Sequence, residues 1–114
     1  MELCELESIG IELCRDLLNQ DYENIAQRLG YAIAFEKAAA VAIKEDFERS
    51  LLESGGTLEL ANFNVVVRCF SDGTSGFISL IECRFSFDNS NKEVLAEIIQ
   101  NESGFYLEQV SCEA

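Results

Sequence analysis

The chain predicts an α+β domain: N-terminal helices packed on a small, mainly antiparallel sheet of three to four strands, in the order α-α-α-β-β-α-β. Three observations carry this reading. Leu6, Ile9, Leu13 and Leu17 recur at three- and four-residue steps, the spacing of one helical face. Apolar and polar side chains then alternate from Asn62 to Phe87 on either side of a short loop, Ser71 to Gly76, whose glycines suit a turn. With 114 residues, 48% of them hydrophobic, the chain is long enough for one core and too short for two domains.

The first helix is predicted over Glu2 to Asn19. Gly10 costs about 1 kcal/mol relative to alanine inside a helix, which packing of the leucine stripe outweighs. At about 100° per residue, Glu5, Glu12 and Asp16 fall together on the solvent side as an acidic ridge. Asn19-Gln20-Asp21 breaks and caps the chain, and Tyr22 to Leu29 follows as a short helix with Tyr22, Ile25 and Leu29 inward. From Tyr31 to Glu53 there is neither glycine nor proline, and Ile33, Ala40, Ile43, Phe47 and Leu51 line one face of a third and longest helix. Ser54-Gly55-Gly56 ends it.

Leu58 and Leu60 are out of phase with Phe63, Val65 and Val67, so a bulge near Ala61-Asn62 is expected to switch faces. Pairing Phe70 with Gly76 across the loop would set Val67 against Ser79, Val65 against Ile81 and Phe63 against Cys83. The other face carries Val66, Phe70, Ile78 and Leu80 among Asn64, Arg68, Glu82 and Arg84. Four apolar residues together there predict a cover, supplied by the N-terminal helices or by a dimer mate. Ser90, with Glu93 at capping-box spacing, opens a predicted helix whose buried stripe is Val94, Leu95, Ile98 and Ile99. Phe105 to Cys112 is a final strand, which a helical crossover would lay parallel beside the first.

Asp and Glu number 21 against 8 Lys and Arg, a net charge of −13. Such a field repels nucleic acid and anionic membranes and attracts cationic proteins. There is no histidine, which removes the usual general base, the Ser-His and Cys-His pairs and the commonest metal ligand. The five cysteines, Cys4, Cys14, Cys69, Cys83 and Cys112, contain no CxxC pair, so neither a zinc framework nor a cofactor is expected. Cys69 and Cys83 fit the strands as small buried hydrophobes. Their odd number, with no apolar run of membrane length, predicts reduced thiols in the cytoplasm. Asp72-Gly73-Thr74-Ser75-Gly76 has the hydroxyls of a phosphate loop but lacks its lysine and following helix, and reads as a hairpin loop.

Binding rather than catalysis is therefore expected. The candidate contact residues are the ridge of Glu5, Glu12 and Asp16, the helical segment Glu45, Asp46 and Glu48, and Glu108 with Glu113 on the last strand. In size, charge and want of catalytic residues the chain resembles the immunity proteins of bacterial toxin systems. That resemblance implies a monomer or homodimer that blocks a basic nuclease toxin, carboxylates standing where substrate phosphates would lie. A second class stays open: a dimeric, acidic secretion chaperone or adaptor holding an apolar client segment against Val66, Phe70, Ile78 and Leu80.

Overall fold

The computed structural model describes residues 3–32, 38–69 and 77–113. Three helices, α1 (Leu3–Leu18), α2 (Tyr22–Arg28) and α3 (Ala39–Ser54), precede four strands, β1 (Ala61–Cys69), β2 (Phe77–Phe87), β3 (Ser90–Asn101) and β4 (Gly104–Glu113). The strands form one antiparallel meander in the order β1-β2-β3-β4. Helix α1 lies over β1 and β2, α3 lies over β3 and β4, and α2 touches both of the other helices. The core is the layer between helices and sheet, where Leu13, Leu17, Ile25, Ile43, Phe47, Ile81, Phe85, Val94, Ile98 and Leu107 are fully buried.

The first two helices form where periodicity and caps place them. Asp21 accepts a hydrogen bond from the Asn24 amide at 3.3 Å and so fills one unpaired donor of α2. Gly30 ends that segment at φ 68° and Gly55 ends α3 at φ 74°, a left-handed backbone that side chains with a Cβ resist.

The third helix is shorter than its composition predicts. Tyr31 and Ala32 are not helical: they run beside β4, with a bridge between Tyr31 and Leu107 and the Ala32 amide donating to the Leu107 carbonyl at 2.9 Å. Tyr31 also donates its hydroxyl to Asp46 of α3 at 2.6 Å. The sheet edge satisfies the Ala32 amide and α3 the Tyr31 hydroxyl, and together they fix the backbone here more strongly than helix propensity. Ile33, and with it residues 33–37, lies outside the described residues.

Further expectations are corrected. Ser90–Asn101 is the strand β3 rather than a helix. Val94, Ala96 and Ile98 belong to the core cluster while Glu97, Ile99 and Leu95, which is buried beside Arg84, lie on the other face, a period of two that the same residues conceal at helical spacing. Ser90 caps no helix; its hydroxyl donates to the Ser54 carbonyl at the end of α3 and accepts from the Lys92 amide. Asp88-Asn89 and Glu102-Ser103 are two-residue hairpin loops, and without a crossover β4 runs antiparallel beside β3 instead of parallel beside β1.

The β1–β2 register is displaced by two residues, pairing Val67 with Ile81, Val65 with Cys83 and Phe63 with Phe85. A two-residue slip keeps every side chain on its face, so the apolar face survives the change. Leu58–Leu60 is a 3₁₀ turn outside the sheet, which absorbs the phase change that a bulge was expected to make. Cys69, at the end of the outermost strand, is exposed, whereas Cys83 is buried.

Candidate functional site

Two surfaces carry the sequence-predicted residues, and they lie on opposite sides of the molecule. The first is the acidic helical layer. Glu5 and Glu12 are exposed on α1, and Glu45 and Glu48 are exposed on α3. Asp16 and Asp46 prove to be structural instead. Asp16, only 13% exposed, accepts from Arg28 at 2.6 Å and from the Asn24 side chain at 2.8 Å, tying α1 to α2. Arg28 also reaches Glu12 at 3.4 Å.

Asp46, 14% exposed, accepts from Tyr31 and from Arg49, each at 2.6 Å. Burial, then the bond to Asp46, pushes the Tyr31 hydroxyl well above its ordinary range, so it stays a donor. Of the third acidic pair, Glu108 is half-buried at a bulge, where β4 takes three steps from Leu107 to Val110 while β3 takes two from Ile98 to Ala96. Glu113 is held by Arg84 at 3.1 Å.

The second surface is the outer face of the sheet. Helices α1 and α3 pack against the other face and α2 against them, so the cover expected from within the chain is not provided by the described residues. Val66 is 37% exposed, Ile78 is 43% exposed and Leu80 is half-buried. Phe70 falls outside the described residues. The register adds residues that the expected helix had hidden, since Leu80 is flanked by Ile99, which is flanked in turn by Tyr106. A period-two reading of Val94 to Gln100 would have found them.

Beside this apolar row runs an ion network. Glu82, buried in the centre of the face, accepts from Arg68 at 2.5 Å and from Arg84 at 3.1 Å, and Arg84 continues to Glu93 at 3.5 Å and to Glu113. The hydrogen bond from Arg68, assisted by both guanidinium charges and Arg84, holds the Glu82 carboxyl below the ordinary glutamate value of 4.5 against the opposing effect of burial.

A group depressed in this way contributes stability above its unfolded pKa and loses it as the pH falls through the folded one. Glu82→Gln is expected to be less stable than wild type at neutral pH, with the two unfolding curves converging as the pH drops below about 4.5. Chemical denaturation across that range checks it; a gap independent of pH would mean that Glu82 is not ionised in place.

The thiols offer no nucleophile at the core. Cys83 donates to the Gly10 carbonyl at 3.5 Å, and its contact with Cys14, followed by burial, pushes its thiol far up. Among the described residues no three His, Cys, Asp or Glu side chains are grouped to hold a metal ion, and no helix is long and apolar enough to cross a membrane. Two grooves open on the helical side, one lined by Ser8, Ile11, Glu12 and Arg15 on α1, the other by residues including Tyr22, Ala40, Val41 and Lys44. Neither gathers an acid–base pair with a nucleophile. Comparison with protein-family models, with curated proteins and with solved structures returned no match.

Proposed function

We propose that this protein binds and neutralises a cationic protein, most simply as an immunity protein that inhibits a bacterial nuclease toxin in the cytoplasm. The observation that carries the proposal is how the cations are used. Arg28, Arg49, Arg68 and Arg84 are all spent on ion pairs within the chain, Glu12 among their partners, so much of the scarce positive charge is compensated by the chain's own carboxylates while Glu5 and Glu48 stand exposed on the helices. An acidic surface on a rigid helical pair speeds encounter with a basic partner and sets its orientation. Carboxylates lodged in a nuclease's phosphate channel would exclude its substrate.

Immobilised chain challenged with a panel of basic nucleases is expected to retain one or more of them at low ionic strength and release them at high ionic strength. Glu5→Lys with Glu12→Lys is expected to weaken retention at least tenfold. Retention indifferent both to salt and to these reversals would remove the helical acids from the interface.

A second reading is favoured by the outer face of the sheet, where Val66 and Ile78 lie exposed beside Leu80, Ile99 and Tyr106. There the chain would act as a dimeric secretion chaperone or adaptor that shields an apolar segment of a client. Retention of a client that survives high salt and is lost on Leu80→Lys would select this reading.

A further inference from the structure

The geometry points to a second copy of this chain as the partner of the β1 edge: two β1 strands pair antiparallel about a twofold axis at Val65 and join two four-stranded sheets into one of eight. A sheet has two edges, and here they differ. The β4 edge is interrupted at Leu107, where Tyr31 and Ala32 pair with it, and β4 carries the carboxylates Glu108 and Glu113. Strand β1 leaves its outer edge open among the described residues, and it has none of the usual protection, neither proline nor lysine nor a bulge against β2. About a twofold axis the contact is isologous, the same strand serving both copies, and it consumes the β1 edge of each.

The side chains of that edge select another copy as the occupant. Nine residues, Ala61–Cys69, contain no carboxylate, in a chain of net charge −13. The single cation, Arg68, is already neutralised by Glu82. Two such acidic bodies repel almost anywhere else on their surfaces, but along β1 no like charges are opposed. A twofold at Val65 pairs all nine residues end to end: Phe63 with Val67, Asn64 with Val66, and Asn62 with Arg68. On the core face Phe63 meets Val67, so that the core face of one sheet continues into that of the other, while the outer face pairs asparagine with Val66 and Arg68. Exposed apolar side chains gather here too, since Leu60, Phe63 and Val66 lie on or beside β1, with Ile78 on the neighbouring strand.

The helical layer completes the contact. Gly10 of α1 sits against Val65, so the axis passes close to the middle of that helix. Glu12 and Asp16 face α2, and at about 100° per residue Leu3, the exposed Glu7 and Leu18 fall on the opposite side, toward the β1 edge, with Ile11 next to them. Strand spacing of about 4.8 Å puts the two α1 axes roughly 10 Å apart, the distance at which helices pack, with Ile11 meeting its own copy. A ladder about 30 Å long and two layers deep buries on the order of 1,200 Å² in total, within the range of specific interfaces. The helical acids that face α2 and the outer face of the sheet both stay free, so the pairing is independent of which partner reading holds.

Sedimentation equilibrium over a range of concentrations is expected to give twice the chain mass. Asn64→Lys with Val66→Lys, both on exposed positions, places lysines opposite lysines twice across the axis and is expected to shift the chain to monomer. Asn64→Glu with Val66→Glu is expected to do the same alone, and mixing the two variants is expected to restore a dimer containing one of each. A wild-type monomer at every concentration, or a dimer that ignores the double lysine variant, overturns the assignment. Should either variant fail to fold, hydrogen exchange on the wild type decides: protection of the 61–69 amides that rises with concentration supports the pairing, and protection independent of concentration refutes it.

Discussion

Phe47→Ala is expected to lower the unfolding free energy by about 3–5 kcal/mol, a large share of the roughly 5–15 kcal/mol that holds a domain together. The ring sits on α3 with no exposed surface, and it is the point where helices and sheet meet. Its centroid lies 5.8 Å from that of Phe85 on β2 in an edge-on arrangement, and 6.5 Å from that of Tyr22 on α2. Truncation removes the transfer energy of the ring and leaves a cavity that three separate elements would have to move to close. Urea unfolding measures it, with a lower midpoint and an unchanged slope. Leu52→Ala on the same helix, where the side chain is 83% exposed, is expected to stay within about 0.5 kcal/mol of wild type. Near-equal losses at the two positions would mean that α3 does not pack as described.

Gly10→Val is expected to cost about 3 kcal/mol or more. A Cβ added at Gly10 would stand 2.6 Å from Val65 Cγ1 and 2.8 Å from Ile81 Cγ2, closer than carbon atoms approach without displacement. Alanine introduces the same clash but recovers about 1 kcal/mol of helix propensity, so Gly10→Ala is expected to lose less, on the order of 1 kcal/mol. Valine adds two methyl groups and recovers little propensity, and the only space open to them is already filled by β1 and β2. The clash is specific to Val65, which gives a sharper check than either single variant. Combining Gly10→Ala with Val65→Ala is expected to be less damaging than the sum of the two by about 1 kcal/mol, measured as a double-mutant cycle in denaturant. Strict additivity would show that α1 does not rest on β1 at this glycine.

Both substitutions mark how much was legible beforehand. Phe47 could be placed in the core from periodicity alone, because a helix that lies on a sheet must turn its apolar stripe inward whatever it meets there. Its partners Tyr22 and Phe85 lie 25 residues before and 38 after it in the chain, and no local pattern relates such distances. Gly10 reads in the sequence only as a weak point in a helix. In the fold it is a place where the helix backbone rests directly on the strand side chains of Val65, Ile81 and Cys83, an approach that a glycine allows.

The candidate sites divide in the same way. The acidity of the helical surface was readable from Glu5, Glu12, Glu45 and Glu48, because exposed charge follows from the helical wheel. That Asp16 and Asp46 belong to the architecture was not, because Arg28, Asn24 and Tyr31 reach them only after the helices assemble. The row Leu80, Ile99, Tyr106 was hidden by the choice of helix for Ser90 to Asn101.

Short-range physics accounts for three amphipathic helical stretches, a hairpin with one apolar face, and a strongly acidic surface without histidine chemistry. Each depends only on residues a few positions apart and on totals of charge. Tertiary structure alone decided that Ser90–Asn101 is a strand, that the sheet is a four-stranded meander, and which of its faces and edges the other described residues leave uncovered. Val94, Leu95, Ile98 and Ile99 satisfy a helix and a strand almost equally as an isolated segment. Ladders with β2 on one side and β4 on the other settle it, because only the strand gives those backbone groups partners along both edges while burying Val94, Ala96 and Ile98 against the helices.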